Sequence, residues 1–307
     1  MPTLNLERDD VAEAMSDSAA WWVLNSQIDG FRHDATKHIP LSFWRLLTRK
    51  IKQHTQTSDR RIYQIGETYG SAELIGSYLG SGLIDAQFDF NLYDKATVAF
   101  GKENAGFEGL IQVANEGLDQ YGAHHLMGTI TGNQDRPRFA SLAEGTVRWD
   151  EDHKLAGWTR DIRRDGVRGH QAMRMLTAFN MSMPGVPCIY QGDEYADVGG
   201  NDPDNRRMVR FDDLDLEENR TREIASRWAE LRRSRMSMMF GQTALSSPEP
   251  QLLKITRQYL DESTTVFFNQ SDAPIAIPNL AQAACLLGQP MGQQIPPFTA
   301  LAVDGSL

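Results

Sequence analysis

Apolar positions recur with a helical period along the first two thirds of the chain, punctuated by short runs of strand character. Val11, Met15, Ala19, Trp22 and Val23 fall at i, i+4 and i+3 spacing, which predicts an amphipathic helix capped by Asp9 and Asp10. Asp29-Gly30 breaks that period, and a strand is expected over residues 30–34. Pro40 opens a second helix with Phe43, Leu46, Leu47 and Ile51 on one side. Further strands are expected over residues 62–66, 83–90, 126–131 and 187–191. Helices are expected over 71–80, 171–181 and 217–233, the last turning Ile224, Trp228 and Leu231 inward. Strands alternating with helices imply right-handed crossovers and a parallel α/β sheet. Two connections, 135–168 and 192–215, are long enough to be read as functional, and both follow a strand's carboxyl end, where α/β enzymes place their sites.

Past residue 240 the helical period gives way to Pro, Gln, Thr and Ala. Residues 252–260 and 264–269 flank Asp261-Glu262-Ser263 and read as a β-hairpin, followed by short apolar runs at 275–277 and 283–287. The expected organisation is an α/β domain over 1–238 and a small antiparallel β-sandwich domain over 239–307.

Charge narrows the partners. The 307 residues carry 31 Lys and Arg against 41 Asp and Glu, a formal charge of −10, which repels phosphate backbones and argues against a nucleic-acid partner. No run approaches the length of a transmembrane helix, so no membrane partner is expected. The acidic opening residues lack the order of a signal peptide, and the compartment stays open. Cys188 and Cys285 lie too far apart in sequence to suggest a disulfide framework or a zinc knuckle.

Three acids stand at or just past predicted strand ends: Asp34, Glu67 and Asp135. In a parallel sheet all carboxyl ends share one face, so these side chains are expected to converge. A close carboxylate pair is what a retaining glycosidase needs, one ionised as nucleophile and one protonated as acid/base. Arg32 shares a strand face with Asp34 and would keep it ionised, while crowding of carboxylates would raise the proton affinity of Glu67. Blander readings stand beside these. A lone acid after a strand is commonly a helix cap, and Lys37 and His38 alone would be ordinary surface residues. Trp21-Trp22 reads as helix packing and His124-His125 as structural. The Asp193, Glu194, Asp197, Asp202 and Asp204 loop reads as solvated rather than as a Ca²⁺ site.

Taken in order, these segments resemble the α-amylase superfamily of glycoside hydrolases (family 13), in its neopullulanase and cyclomaltodextrinase-like form. Residues 30–38, Gly-Phe-Arg-His-Asp-Ala-Thr-Lys-His, resemble the fourth-strand motif, and Gly66-Glu67 the fifth. Asn133-Gln134-Asp135 stands where the family has Asn-His-Asp, residues 185–194 resemble the eighth-strand segment, and Met1-Pro2-Thr3-Leu4-Asn5 resembles a short motif before the fourth strand. The resemblance implies Asp34 as nucleophile, Glu67 as general acid/base and Asp135 as the group that holds sugar hydroxyls in a distorted ring. It implies substrate contacts from Arg32, Lys37, His38, Asn133 and Gln134, with an α-1,4 or α-1,6 glucan as partner.

The chain departs from the family pattern twice. Gln134 replaces a histidine, and an amide donates a hydrogen bond without carrying charge. The family's (β/α)8 barrel has eight strands, whereas this chain supplies what resemble the fourth to the eighth. The expectation is therefore a partial barrel, truncated by a late gene start, a split gene or a deletion, with two open edges prone to association. Family members bind Ca²⁺ near the part not seen here, so no metal or other cofactor is assigned. The competing expectation is a non-catalytic fragment that binds carbohydrate or completes another chain's barrel.

Overall fold

The computed structural model describes residues 3–287 and 292–305; Met1 and Pro2 of the opening motif lie outside the described residues. Five short parallel strands come first: β1 Gly30–His33, β2 Tyr63–Gly66, β3 Ala86–Gln87, β4 Gly128–Ile130 and β5 Val186–Cys188. β1, β2 and β3 pair in parallel, as do β4 and β5, and a parallel bridge between Phe88 and Gly128 joins the two sets in chain order. Among the described residues β1 pairs only with β2 and β5 only with β4, so both outer edges carry free backbone groups.

Ten α-helices accompany these strands. They are α1 Asp9–Asn25, α2 Leu41–Thr55, α3 Ala72–Gly76, α4 Phe90–Gly101, α5 Glu108–Tyr121, α6 Phe139–Glu144, α7 His153–Thr159, α8 Arg168–Ser182, α9 Leu216–Ser234 and α10 Met236–Phe240, counted among the described residues. Local chemistry explains where several begin. Asp89 accepts from Leu92 N at 3.0 Å and caps α4, which draws Phe90 out of the strand expected to reach it and leaves β3 two residues long. Asp215 and Glu218 form a capping box that starts α9 one residue earlier than expected. Asp9 and Asp10 lie inside the first turn of α1 rather than capping it.

Helix α1 shows the largest departure from the hydrophobic pattern. Its buried stripe is Ala12, Ser16, Ala20 and Val23, while Met15, Trp21 and Trp22 are 40%, 53% and 54% exposed. Small residues allow close approach to α2, and Lys50 on α2 is paired with Glu13 and Asp17 along the flank. The tryptophan pair is therefore not helix packing. It stands in solvent, the two rings edge to face at 5.1 Å.

The C-terminal part is a four-stranded antiparallel sheet ordered β11-β8-β7-β6, from β6 Gln242–Glu249, β7 Leu252–Tyr259, β8 Glu262–Asn269 and β11 Thr299–Asp304. A two-stranded sheet of β9 Ile275–Ala276 and β10 Gln294–Ile295 covers one face. Tyr259 pairs with Glu262, so the hairpin turn is Leu260-Asp261, with Leu260 in the left-handed region at φ 49°. Residues 283–287 form no strand beyond a single bridge from Cys285 to Val303. The expected boundary at 238/239 falls inside α10. The main core runs across it, with Phe100, Phe179 and Phe268 packing ring to ring at 5.5–6.3 Å.

Candidate active site

Strand register brings the first two acids together. His33 is opposite Gly66 in the β1–β2 ladder, so Asp34 and Glu67 leave the same sheet end side by side. Ala35 then turns the chain through the left-handed region (φ 47°, ψ 42°). Thr36 N donates to Glu67 O at 2.9 Å, and Glu67 N donates to His33 O at 3.0 Å and to Thr36 Oγ1 at 2.9 Å. Gly66 permits this closeness, since a Cβ there would lie 2.5 Å from Thr36 Oγ1 and 2.6 Å from Ile84 Cδ1.

One guanidinium spans both acids. Arg32 Nη1 is bonded to Asp34 Oδ1, and Nη2 lies 2.8 Å from Glu67 Oε2. The Asp34 side chain is 79% exposed and that of Glu67 only 12%. The hydrogen bond from Arg32 holds the Asp34 carboxyl below its ordinary range. Burial pushes Glu67 above its ordinary value against the opposing charge of Arg32, with the neighbouring Asp34 adding to the rise. Crowding of carboxylates is thus the lesser cause, and desolvation the larger.

Arg32 and Glu67 line a cavity of about 380 Å³ together with Asn133, Gln134, Phe88 and Tyr190. Neither Asp34 nor Asp135 is among its lining residues. Asp135 Oδ2 accepts from Gln134 Nε2 at 2.9 Å, and Asp135 Oδ1 lies 3.2 Å from Arg206 Nη2. Lys37 and His38 are exposed on the turn after Asp34 and do not line the cavity, and Lys37 Nζ donates to Tyr69 O at 2.9 Å.

A residue that sequence reasoning missed, Arg138, touches two of the cavity's lining residues, Gln191 and Tyr190. Arg138, 2% exposed, donates to Gln191 O at 2.6 Å and to Asp193 Oδ1 at 3.0 Å, with Asp197 Oδ2 at 3.7 Å. The acid-rich loop is therefore not solvated as a whole: Asp193 and Asp197 are 1% and 9% exposed. Burial pushes Asp193 up to about 6 despite Arg138. Among the described residues no group of three His, Cys, Asp or Glu side chains is arranged to hold a metal ion. No helix among them is long and apolar enough to cross a membrane.

The model of the alpha-amylase catalytic domain matches residues 1–233. The chain belongs to the alpha-amylase family. A cyclomaltodextrinase of Geobacillus thermopakistaniensis is 24% identical over 282 residues, covering 91% of this chain and 43% of the relative. The alpha-amylase of Anoxybacillus superposes with a TM-score of 0.80 at 25% identity, over 99% of this chain and 64% of that one. The alpha-amylase of Geobacillus thermoleovorans, solved with acarbose, gives 0.79 at 24% identity, over 98% and 65%. The chain thus spans less than half the length of the curated relatives it matches. Its structural neighbours are alpha-amylase barrel enzymes, and this family member carries parallel strands alternating with helices together with a small antiparallel sheet.

Proposed function

We propose that this alpha-amylase family member is a retaining glycosidase acting on α-1,4-linked glucans, with α-1,6 links as a second target. One observation carries the reading: Arg32 bridges Asp34 and Glu67, whose proton affinities are pushed in opposite directions at the end of two paired strands.

In this reading the ionised Asp34 carboxylate attacks the anomeric carbon while Glu67 gives its proton to the departing glycosidic oxygen. A glycosyl ester forms on Asp34. Glu67, now ionised, takes a proton from water, which attacks the same carbon from the opposite side and frees Asp34 with net retention. Asn133 and Gln134 donate hydrogen bonds from the cavity wall, Asp135 holds sugar hydroxyls, and Arg32 keeps the nucleophile oriented. Lys37 and His38, on the exposed turn after Asp34, are assigned to the leaving-side sugars. No step in this scheme uses a metal.

We read the five parallel strands as the fourth to eighth strands of a (β/α)8 barrel, a reading supported by the long alpha-amylase neighbours that cover almost all of this chain. The test is release of reducing sugar from maltotriose and cyclodextrin, with Asp34→Asn as control. Proton NMR of the first product should show the α-anomer. Equal rates in the chain and the control would remove the catalytic claim, and a β-anomer would remove retention.

A further inference from the structure

We infer that Arg232 and Arg257 are positioning residues for one wall of the cavity. They strap the turn from which β5 starts, and through Arg257 the C-terminal sheet takes part in holding Cys188, Ile189, Tyr190 and Gln191 in place. The effect on turnover rests on the glycosidase reading above, whereas the effect on the strand does not.

β5 needs support from outside its own ladder. It is three residues long and pairs with β4 alone among the described residues. A short strand with a single neighbour opens more readily than a central one. Yet Cys188 is its last residue, and Ile189, Tyr190 and Gln191 continue directly from it into the cavity wall. Beyond the strand, Arg138 fixes Gln191 O. The other end to be fixed is the start.

Helix α8 ends at Ser182 and leaves its last carbonyls without helical partners. Two guanidiniums take them up. Arg232 from α9 donates through Nη1 to Met181 O and Met183 O and through Nη2 to Gly185 O, each at 2.7 Å. Arg257 from β7 donates to Ser182 O at 2.7 Å and to Gly241 O at 3.0 Å. Four carbonyls of the run 181–185 are thus held by side chains from outside it. Gly185 completes the turn at φ 100°, where a Cβ would lie 2.2 Å from Met127 O. The next amide, Val186 N, donates to that same oxygen at 2.8 Å and opens the β4–β5 ladder.

Both arginines are buried, Arg232 being 9% exposed and Arg257 0%. No acid offsets either charge: burial pulls Arg232 down, and burial together with repulsion from Arg232 pulls Arg257 down. Their charges rest against the carbonyls at the negative end of α8, through charge-assisted hydrogen bonds shielded from water. Loss of either side chain leaves carbonyls unpaired in the interior.

The test compares the full chain with Arg232→Lys, which keeps the charge but not the three-carbonyl span, and with Arg257→Met. Amide hydrogen exchange is read at Val186 and at Thr131, whose N–H donates to Cys188 O; Glu67, whose N–H donates to His33 O, is the reference. In each variant Val186 and Thr131 should quicken at least about 10-fold more than Glu67. The same factor at all three amides would mean a general loss of stability and overturn the inference. Should Arg257→Met fail to fold, Arg232→Lys decides alone. On maltotriose KM should rise about 3- to 10-fold with kcat kept within about threefold, because a loosened wall loses binding common to ground and transition states. An unmoved KM beside quickened exchange would overturn the claim on the wall. A chain that never hydrolyses maltotriose removes the glycosidase reading, and the exchange comparison still decides the strap.

Discussion

Two arginines at opposite edges of the parallel sheet each hold two carboxylates, and the two trios behave differently. Arg32 grips Asp34 and Glu67 beside β1 and β2, where Asp34 is 79% exposed and Glu67 faces a cavity. Arg138 grips Asp193 and Asp197 beside β5, where all three are nearly buried. The first trio separates its acids, one with lowered and one with raised proton affinity. In the second, burial raises both Asp193 and Asp197. The same residue types therefore give two acids of divergent proton affinity at the water boundary and a buried clamp in the interior.

The largest test of this contrast is to remove the acids of the exposed trio. Asp34→Asn and Glu67→Gln should each lower kcat on maltotriose by at least about 10³-fold, with melting temperature nearly unchanged. A large loss of stability in Asp34→Asn would place that trio with the clamps. Next comes Arg138→Ala, which strands two buried carboxylates and should cost about 3–5 kcal/mol in urea unfolding. If it unfolds like the unaltered chain, the buried trio has no structural role.

Arg32→Lys should have a smaller effect, lowering kcat about 10- to 100-fold. Its more telling readout is the pH profile. Without the guanidinium hydrogen bond Asp34 protonates at higher pH, so the acidic limb should move upward; an unmoved limb would separate Arg32 from the ionisation of Asp34. Smaller again is a stability slope. A carboxyl whose folded pKa is raised keeps its proton longer when folded, so stability should fall as pH rises from about 4 to about 6. Each such group should contribute on the order of 3 kcal/mol, so the drop should shrink in Asp193→Asn, leaving the part due to Asp89, which is likewise pushed up to about 6, and should persist in full in Asp34→Asn. Finally, with β1 and β5 unpaired outward, the isolated chain should self-associate in sedimentation runs at rising concentration; a clean monomer would contradict this.

Sequence made the paired acids legible because parallel register is local arithmetic: Asp34 and Glu67 each follow a strand that begins four residues earlier. The antiparallel hairpin was legible for a similar reason, although its turn lies one residue earlier than the polar residues suggest. What stayed hidden depends on three-dimensional neighbours. The alternation at 83–90 looks like a strand until Asp89 is seen capping α4. The spacing in α1 favours large residues, yet close packing on α2 selects Ala12, Ser16 and Ala20. Arg138 carries no motif of its own, and its role follows from burial alone.

The ring contacts among Phe100, Phe179 and Phe268 bear on how this protein can be taken apart. Because one ring comes from the C-terminal sheet and two from helices of the α/β part, the sheet is no detachable appendage. Swapping it for the equivalent piece of a relative would require transplanting its aromatic partners as well, and a protease nick near residue 241 should leave two halves that stay stuck together.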